Sequence, residues 1–377
     1  MLHGRARHGL RKRVTADRGG AMIISRTPFR ISFFGGGTDY PVWFKEHGGA
    51  VLATTIDKYC YISCRYLPPF FEHRTRIAYS RIEQAKSNDD IEHPAVRGVL
   101  QHLNIQHGLE IHHDGDLPAR TGLGSSSSFT VGLLHSLYAL QHTMPSKAEL
   151  AQAAIHVEQE VLRESVGCQD QVLAAHGGLC QVKFFQNGEI GYQPIVMRPE
   201  RLAEFQDHLL LYFTGFSRTA SDIAKEQIER TKQRRVELFA MLQMVQEGMA
   251  ILTGTRDLAE FGELLHEAWM VKRGLTSKIT TPMIDDIYEA ARRAGAFGGK
   301  LLGAGGGGFM LFFAKPETHA QIKASLPGLL QVPFRFEGLG SQIVFYQQET
   351  PVLRDLSWTE EQAPVAGQKA MPMENAA

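Results

Sequence analysis

The amino-acid sequence predicts an α+β protein of two domains. At 377 residues the chain is long for one domain and comfortable for two. Strand-like and helix-like segments alternate along it, and no repeat of solenoid period is present. A break near residues 187–207 divides the series, so one domain is expected over residues 22–195 and a second over 196–350. Two flanking segments, 1–21 and 351–377, are expected to be disordered. The first is basic and irregular, with Arg5, Arg7, Arg11, Lys12, Arg13 and Arg18 and no apolar core of signal-peptide length. Met22 is a candidate initiator, because an apolar strand starts there. The last segment carries Pro, Gln, Glu and Ala without periodicity.

Residues 22–25 lead into the strand-like run Phe29-Arg30-Ile31-Ser32-Phe33-Phe34, which a glycine triplet breaks at Gly35. Residues 50–66 form a second β-rich stretch, with Ile56, Tyr59, Tyr61 and Ile62. Residues 109–113 predict a short strand ending in the turn Asp114-Gly115-Asp116. A Gly/Ser loop at 122–128 precedes a buried helix over 129–140. A further helix over 147–163 has Ser146 as N-cap with Glu149 three residues on. Residues 209–213 are a buried strand. Helical spacing then runs over 221–249 and 258–275, and a third helix covers 284–294. Strands over 300–302 and 309–313 flank a glycine-rich loop at 303–308.

Composition narrows the function. Hydrophobic residues are 43% and charged residues 21%, ordinary for a soluble globular protein. Lys+Arg and Asp+Glu are both 40, so no global field gathers nucleic acid or an anionic membrane. Recognition of a phosphorylated ligand must come from a local site. No apolar stretch reaches transmembrane length. The cysteines, Cys60, Cys64, Cys168 and Cys180, lack a second Cys or His pair at metal-ligand spacing and are expected to be buried thiols. A reducing cytoplasm fits them.

The 37 glycines cluster, and the clusters point to chemistry. Residues 117–128, Leu-Pro-Ala-Arg-Thr-Gly-Leu-Gly-Ser-Ser-Ser-Ser, enter a helix. Glycines let backbone approach an anion, and successive N–H groups at a helix start cradle phosphate. Serine hydroxyls can bind phosphate oxygens or Mg²⁺. Without a terminal Lys this is no Walker-type loop. A plain linker is disfavoured between a strand and a strongly apolar helix. The loop Gly303-Ala304-Gly305-Gly306-Gly307-Gly308 formally matches a dinucleotide fingerprint, but a strand follows it and position 323 is Lys323. A nicotinamide enzyme is therefore disfavoured. The third cluster, Gly35-Gly36-Gly37-Thr38-Asp39-Tyr40, places a carboxylate just after a tight turn.

These three segments, in this order, resemble the motifs of the GHMP kinases, the superfamily of galactokinase, homoserine kinase, mevalonate kinase and phosphomevalonate kinase. The resemblance spans roughly residues 22–346. It implies a two-domain GHMP kinase fold, with an N-terminal ribosomal protein S5 domain 2-like part and a C-terminal ferredoxin-like α/β sandwich. Galactokinases have Gly-Glu-His before Thr-Asp-Tyr. Gly35-Gly36-Gly37 here is similar to the heptose 7-phosphate kinase branch, as are residues 26–30 and 211–218.

The resemblance implies ATP and Mg²⁺ as cofactors and phosphorylation of the C1 hydroxyl of a sugar phosphate, D-glycero-D-manno-heptose 7-phosphate to the 1,7-bisphosphate. It implies Asp170 as catalytic base and Arg30 as the residue that polarises the reacting hydroxyl. Gly122, Leu123, Gly124, Ser125, Ser126, Ser127 and Ser128 would hold ATP. Ser126 and Glu158 would hold Mg²⁺, with Glu160 the near alternative. Gly36, Gly37, Thr38, Asp39, Arg218, Gly305 and Gly306 would line the substrate site. An unpaired dianion is costly to desolvate, so a 7-phosphate needs a cation, with Arg218 and Lys272 as candidates. Two alternatives stay open: another sugar kinase of the family acting on fucose or galactose, and a catalytically silent sugar sensor. The expected partner is a small molecule, with neither nucleic acid nor membrane. The number of subunits is left open.

Overall fold

In the computed structural model, residues 21–68, 70–119, 121–215 and 220–347 are described. The segments expected to be disordered lie outside the described residues apart from Ala21, and so does Arg218. The strand expected from Met22 runs unbroken as β1 (Met22–Phe34). Its burial alternates up to Thr27 and is then continuous, because both faces of its second half are covered. It pairs antiparallel with β2 (Gly49–Tyr66). Pro28 can donate no ladder hydrogen bond, and the register shifts between Pro28 and Phe29.

In chain order, α1 (Pro41–His47) bridges β1 and β2 and is followed by β3 (Thr75–Ala78), β4 (Ile82–Ala85) and α2 (Pro94–His102). Next come β5 (Leu109–Gly115), α3 (Ser125–Leu140) and α4 (Lys147–His156). Then α5 (Gln169–His176) leads to β6 (Cys180–Phe184) and β7 (Ile190–Pro194). The remaining helices are α6 (Pro199–Asp207), α7 (Ala220–Arg230), α8 (Arg235–Thr253), α9 (Ala259–Arg273), α10 (Pro282–Arg293) and α11 (His319–Ser325). With them stand β8 (Leu209–Gly215), β9 (Ala296–Leu301), β10 (Gly308–Ala314), β11 (Leu330–Gln331), β12 (Phe336–Glu337) and β13 (Gln342–Gln347).

Two sheets result. The larger has the path β13-β1-β2-β5-β3-β4, with β6, β7 and β12 attached through β2. The smaller runs β11-β8-β10-β9. The α+β expectation holds, and the strands returning at β12 and β13 add the end of the described chain to the first sheet. The sheets meet through Phe33, Phe205, Phe261 and Phe313, with Phe205 and Phe261 centroids 4.8 Å apart and edge to face. Beside them the buried Lys300 ammonium donates to the Phe33 carbonyl at 2.7 Å.

Three expected elements differ in extent. The helix expected from Phe129 starts four residues earlier, at Ser125, so three of the loop's four serines lie within its first turn and Ser128 begins the next. The helix expected to Arg163 is α-helical only to His156, and Val157–Val161 is a π-helical turn. The run expected over 221–249 is broken by a short turn, Thr231–Gln233, between α7 and α8. The Ser146–Glu149 capping box forms as expected, with Glu149 N–H on Ser146 Oγ at 3.2 Å and Ser146 N–H on the Glu149 carboxylate at 2.7 Å. All four cysteines are free and buried, and burial pushes the Cys64 thiol up to about 12.

Helix α9 lies directly on β9. A Cβ on Gly298 would sit 1.9 Å from the Gly262 carbonyl oxygen, so only glycine allows that approach. Gly298→Ala should cost about 1–3 kcal/mol through overpacking and lower Tm by several degrees. Gly338→Ala, with nothing within 4 Å of the added carbon, should stay within about 0.5 kcal/mol. Thermal denaturation of both variants checks the contact, and equal melting temperatures would show that the two elements can separate cheaply.

Candidate active site

Arg30 leaves β1 where the strand is covered on both faces. Its Nε and Nη2 donate to Asp170 Oδ1 and Oδ2, both at 2.7 Å, and its Nη1 donates to the Gly122 carbonyl at 2.6 Å. This two-pronged pairing fixes the plane of the carboxylate. Asp170 is the second residue of α5, and its side chain stays about a quarter exposed while that of Arg30 is nearly covered. The Arg30 N–H also donates to the Leu123 carbonyl at 3.0 Å. One residue thus binds strand, glycine loop and helix together.

The loop crosses β1 and turns into α3. Ser128 Oγ donates to the Pro28 carbonyl at 2.9 Å, and Leu123 is buried. Gly124 is the N-cap, with the left-handed φ of 75°. A Cβ on it would meet Asp170 Oδ2 at 3.4 Å, so the loop passes directly beside the carboxylate. The 16-residue helix begins with Ser125, and its first N–H groups face the loop end, the arrangement that takes an anion. Gly122 and Gly303 pack backbone on backbone. A Cβ on Gly122 would lie 2.4 Å from the Leu302 oxygen, and one on Gly303 would lie 2.4 Å from the Gly122 Cα. The two glycine-rich loops are therefore one structure.

Lys272 holds that structure from below. Its buried ammonium donates to the Leu301 and Gly303 carbonyls at 2.8 and 2.6 Å. Burial, with Arg30 adding to it, brings its pKa down to about 7. It is committed to the loop and is not placed to meet a substrate phosphate.

Glu158 sits in the π-helical turn, fully buried. Such turns concentrate at functional sites because they push a side chain off the regular helical face. Its Oε2 accepts from Ser127 Oγ at 2.9 Å and from Gln171 Nε2 at 2.5 Å, and its Oε1 has no hydrogen-bond partner. Burial pushes its pKa up to about 7, against the smaller pull of Thr130, Gln171 and Ser127. A buried carboxylate with a vacant oxygen beside serine hydroxyls suits a hard cation. Of the two expected Mg²⁺ ligands, Glu158 is buried and bonded to Ser127, while Ser126 is exposed at the start of the same helix. Glu160 is exposed. Among the described residues no three His, Cys, Asp or Glu side chains gather as a metal cluster. A cation here would take one carboxylate, hydroxyls and the oxygens of its nucleotide, the usual arrangement for Mg²⁺.

Asp39 faces the same centre from the turn after β1. Gly37 N–H donates to its Oδ1 at 2.9 Å and Gln169 N–H reaches its Oδ2 at 3.4 Å. Burial raises its pKa; the Asp170 charge adds to this, while the Gly37 and Gln169 N–H groups oppose it. Gly36 lies beside the Gln169 amide. Thr38 differs: its buried hydroxyl accepts from Ala50 N–H at 3.2 Å and lies within donating distance of the Gly35 and Ala50 carbonyls, so it ties the turn to β2. Gly306 N–H donates to the Ile279 carbonyl at 2.9 Å, and Gly305 packs against Ile279, which anchors the third loop on the segment after α9. Sequence reasoning did not find Ser127 or Gln171 as partners of Glu158. The Gln171 signal was present, two residues after Gln169 on the first turn of α5.

Comparisons with known proteins agree with this geometry. Residues 91–178 match the GHMP kinases N terminal domain, and residues 249–327 match the GHMP kinases C terminal domain. The chain is 28% identical over 316 residues to a D-glycero-alpha-D-manno-heptose 7-phosphate kinase of Campylobacter jejuni, spanning 80% of this chain and 92% of that one. It is 26% identical over 323 residues to a bifunctional fucokinase/GDP-fucose pyrophosphorylase of Arabidopsis thaliana, covering 78% of this chain but only 30% of that longer protein. The fold is shared with a crystal structure titled a D-glycero-D-manno-heptose 1-phosphate kinase from Bacteriodes thetaiotaomicron. That match has a TM-score of 0.71 and 24% identity, and covers 86% of this chain and 100% of that one.

The buried carboxyl of Glu158 has a consequence for stability. Its folded pKa, about 7, stands above the ordinary 4.5, so between those values the folded state holds a proton that the unfolded state has lost. Without metal, the stability contributed by the protonated form is present below about pH 4.5 and falls as pH rises towards about 7. The loss is at most about 3 kcal/mol. Glu158→Gln should flatten this slope in metal-free urea titrations at several pH values. Parallel wild-type and variant curves would contradict it.

Proposed function

Because the chain belongs to the GHMP kinase family, we propose that it transfers the γ-phosphoryl group of ATP to the C1 hydroxyl of a sugar phosphate, D-glycero-D-manno-heptose 7-phosphate being the acceptor. The observation that carries the reaction type is the Arg30–Asp170 pair locked beside a glycine loop that opens a helix. Phosphoryl transfer needs positioning and charge neutralisation more than covalent chemistry. The triplet Gly35-Gly36-Gly37 and the Campylobacter relative support the heptose acceptor. The matched segments fall on either side of the division near residues 187–207, which supports units of 22–195 and 196–350. No helix of the described residues is long and apolar enough to cross a membrane.

Each group then has a task. Residues 122–128 cradle the ATP phosphates through loop and helix N–H groups. Glu158, with the hydroxyls of Ser126 and Ser127, holds Mg²⁺, which when bound neutralises charge on the phosphates. Asp170 accepts the proton of the sugar hydroxyl, and Arg30 keeps that carboxylate turned towards the acceptor while lending positive charge to the transferring group. Asp39, fixed by the Gly37 and Gln169 N–H groups, accepts from a neighbouring sugar hydroxyl.

Two measurements test this. ADP release should be faster, by kcat/KM, with heptose 7-phosphate than with fucose or galactose. A higher value for a free hexose favours a fucokinase-like specificity, and sugar binding without ADP release favours a sensor. Asp170→Asn keeps the side chain's size and removes its ability to take a proton. The kcat should fall by about 10²–10⁴-fold with the KM for ATP little changed. A folded variant with near wild-type kcat, judged by melting the same sample, removes Asp170 from the chemistry.

A further inference from the structure

A small cavity opens beside the acceptor turn, and nothing in the proposed mechanism uses it. It is lined by Gly37 and Tyr40 from the turn after β1, by Gln227 and Arg230 from α7, and by Arg234 just before α8. Two arginines therefore line a space that is also walled by Gly37, whose N–H holds Asp39. Arg230 Nη2 meets Glu226 at 3.0 Å, and Arg234 Nη1 meets Glu237 at 2.8 Å. Lys278 reaches the same Glu226 at 2.9 Å. Three cations against two carboxylates leave one positive charge over. Each guanidinium has five N–H donors in a rigid fork and uses one nitrogen on its glutamate.

The cavity adjoins the reacting groups. Burial raises the Tyr40 phenol, and the Asp39 and Asp170 charges raise it further, while Arg30 opposes them. Tyr40 thus lines the cavity while lying within electrostatic reach of Asp39, Asp170 and Arg30. Gln227 also donates to the Ala304 carbonyl at 3.1 Å, which ties α7 to the third glycine loop. The break between α7 and α8 places both arginines at one mouth.

We propose that the mouth of this cavity, whose interior of about 10 Å³ admits only a water, binds the phosphate monoester which the acceptor already carries, with Arg230 and Arg234 gripping its oxygens. The assignment rests on a phosphorylated acceptor, as proposed above. A dianion at this mouth is met by forked donors, and Glu226 and Glu237 pair with the two arginines when no substrate is bound. The distance between the cavity and Asp170 then selects the length of the sugar, because the reacting hydroxyl must reach Asp170 while the far end reaches the arginines.

The test compares D-glycero-D-manno-heptose 7-phosphate with the same heptose lacking its phosphate, for wild type, Arg230→Gln, Arg234→Gln and the double variant. Each single change should raise the KM for the phosphorylated sugar by about ten- to a hundredfold. The KM for ATP and the kcat/KM for the unphosphorylated sugar should be unchanged. Arg230→Lys should keep part of the affinity, and melting curves confirm folding. Unchanged KM values for the phosphorylated sugar, or an equal loss with both sugars, overturn the cavity assignment and leave the substrate reading standing. Wild-type protein with no preference for the phosphorylated sugar overturns that reading, and the assignment with it.

Discussion

The Arg30 guanidinium holds together stretches of chain that are far apart in sequence. It grips Asp170, 140 residues away, and the Gly122 carbonyl, 92 residues away. Strand β1 is the right place for such a residue, because its second half pairs with β2 and is covered on both faces. A charge this deep is tolerable only when its donors are met, and each of its three nitrogens is. The same demand positions the rest of the site. The loop must pass close enough to offer a carbonyl, and α5 must begin where its second residue can face β1. The glycines follow from that crowding, since neither Gly122 nor Gly303 has room for a side chain.

A second constraint is the handling of buried charge around this clamp. Lys272, Lys300, Glu158 and Asp39 are all buried within the layers that surround Arg30. The two lysines are satisfied by main-chain carbonyls, so they act as struts between the sheets and the loops. Glu158 and Asp39 differ, because burial raises the pKa of each and Glu158 keeps one oxygen without a partner. Structural charges here are paired off, whereas groups with an open valence face the place where ligands would come. That contrast separates scaffold from site more sharply than exposure does.

Much of this was legible in the sequence, and the parts that were not have physical reasons. Apolar alternation located β1 and β2, and the order of three glycine clusters carried the family. The capping box at Ser146 marked the start of α4 within a residue. Helix register at 125–128 was harder, because four identical serines give no periodicity to choose between Ser126 and Ser127. The π-helical turn at Glu158 leaves no sequence mark, since one extra residue per turn looks like ordinary helix. The break at Thr231–Gln233 contains neither Gly nor Pro, so the helical pattern seemed continuous through it. Lys272 was a candidate partner for a substrate phosphate, yet its position on a helix packed under the glycine loops buries it and commits its ammonium to their carbonyls.

The strand β13 gives the molecule a temporal property. It completes the edge of the sheet beside β1, and Arg26 on β1 hydrogen-bonds Gln342 across a separation of 316 residues. A ribosome adding about 5–20 residues per second emits β1 long before its outer partner exists. Throughout that interval β1 has β2 on one side and an open row of donors and acceptors on the other, the kind of edge that recruits foreign strands. Pairing at such range is also slow once the chain is complete. Until the last strand pairs, this edge stays open to association with other chains, a vulnerability that the stability of the finished protein does not report.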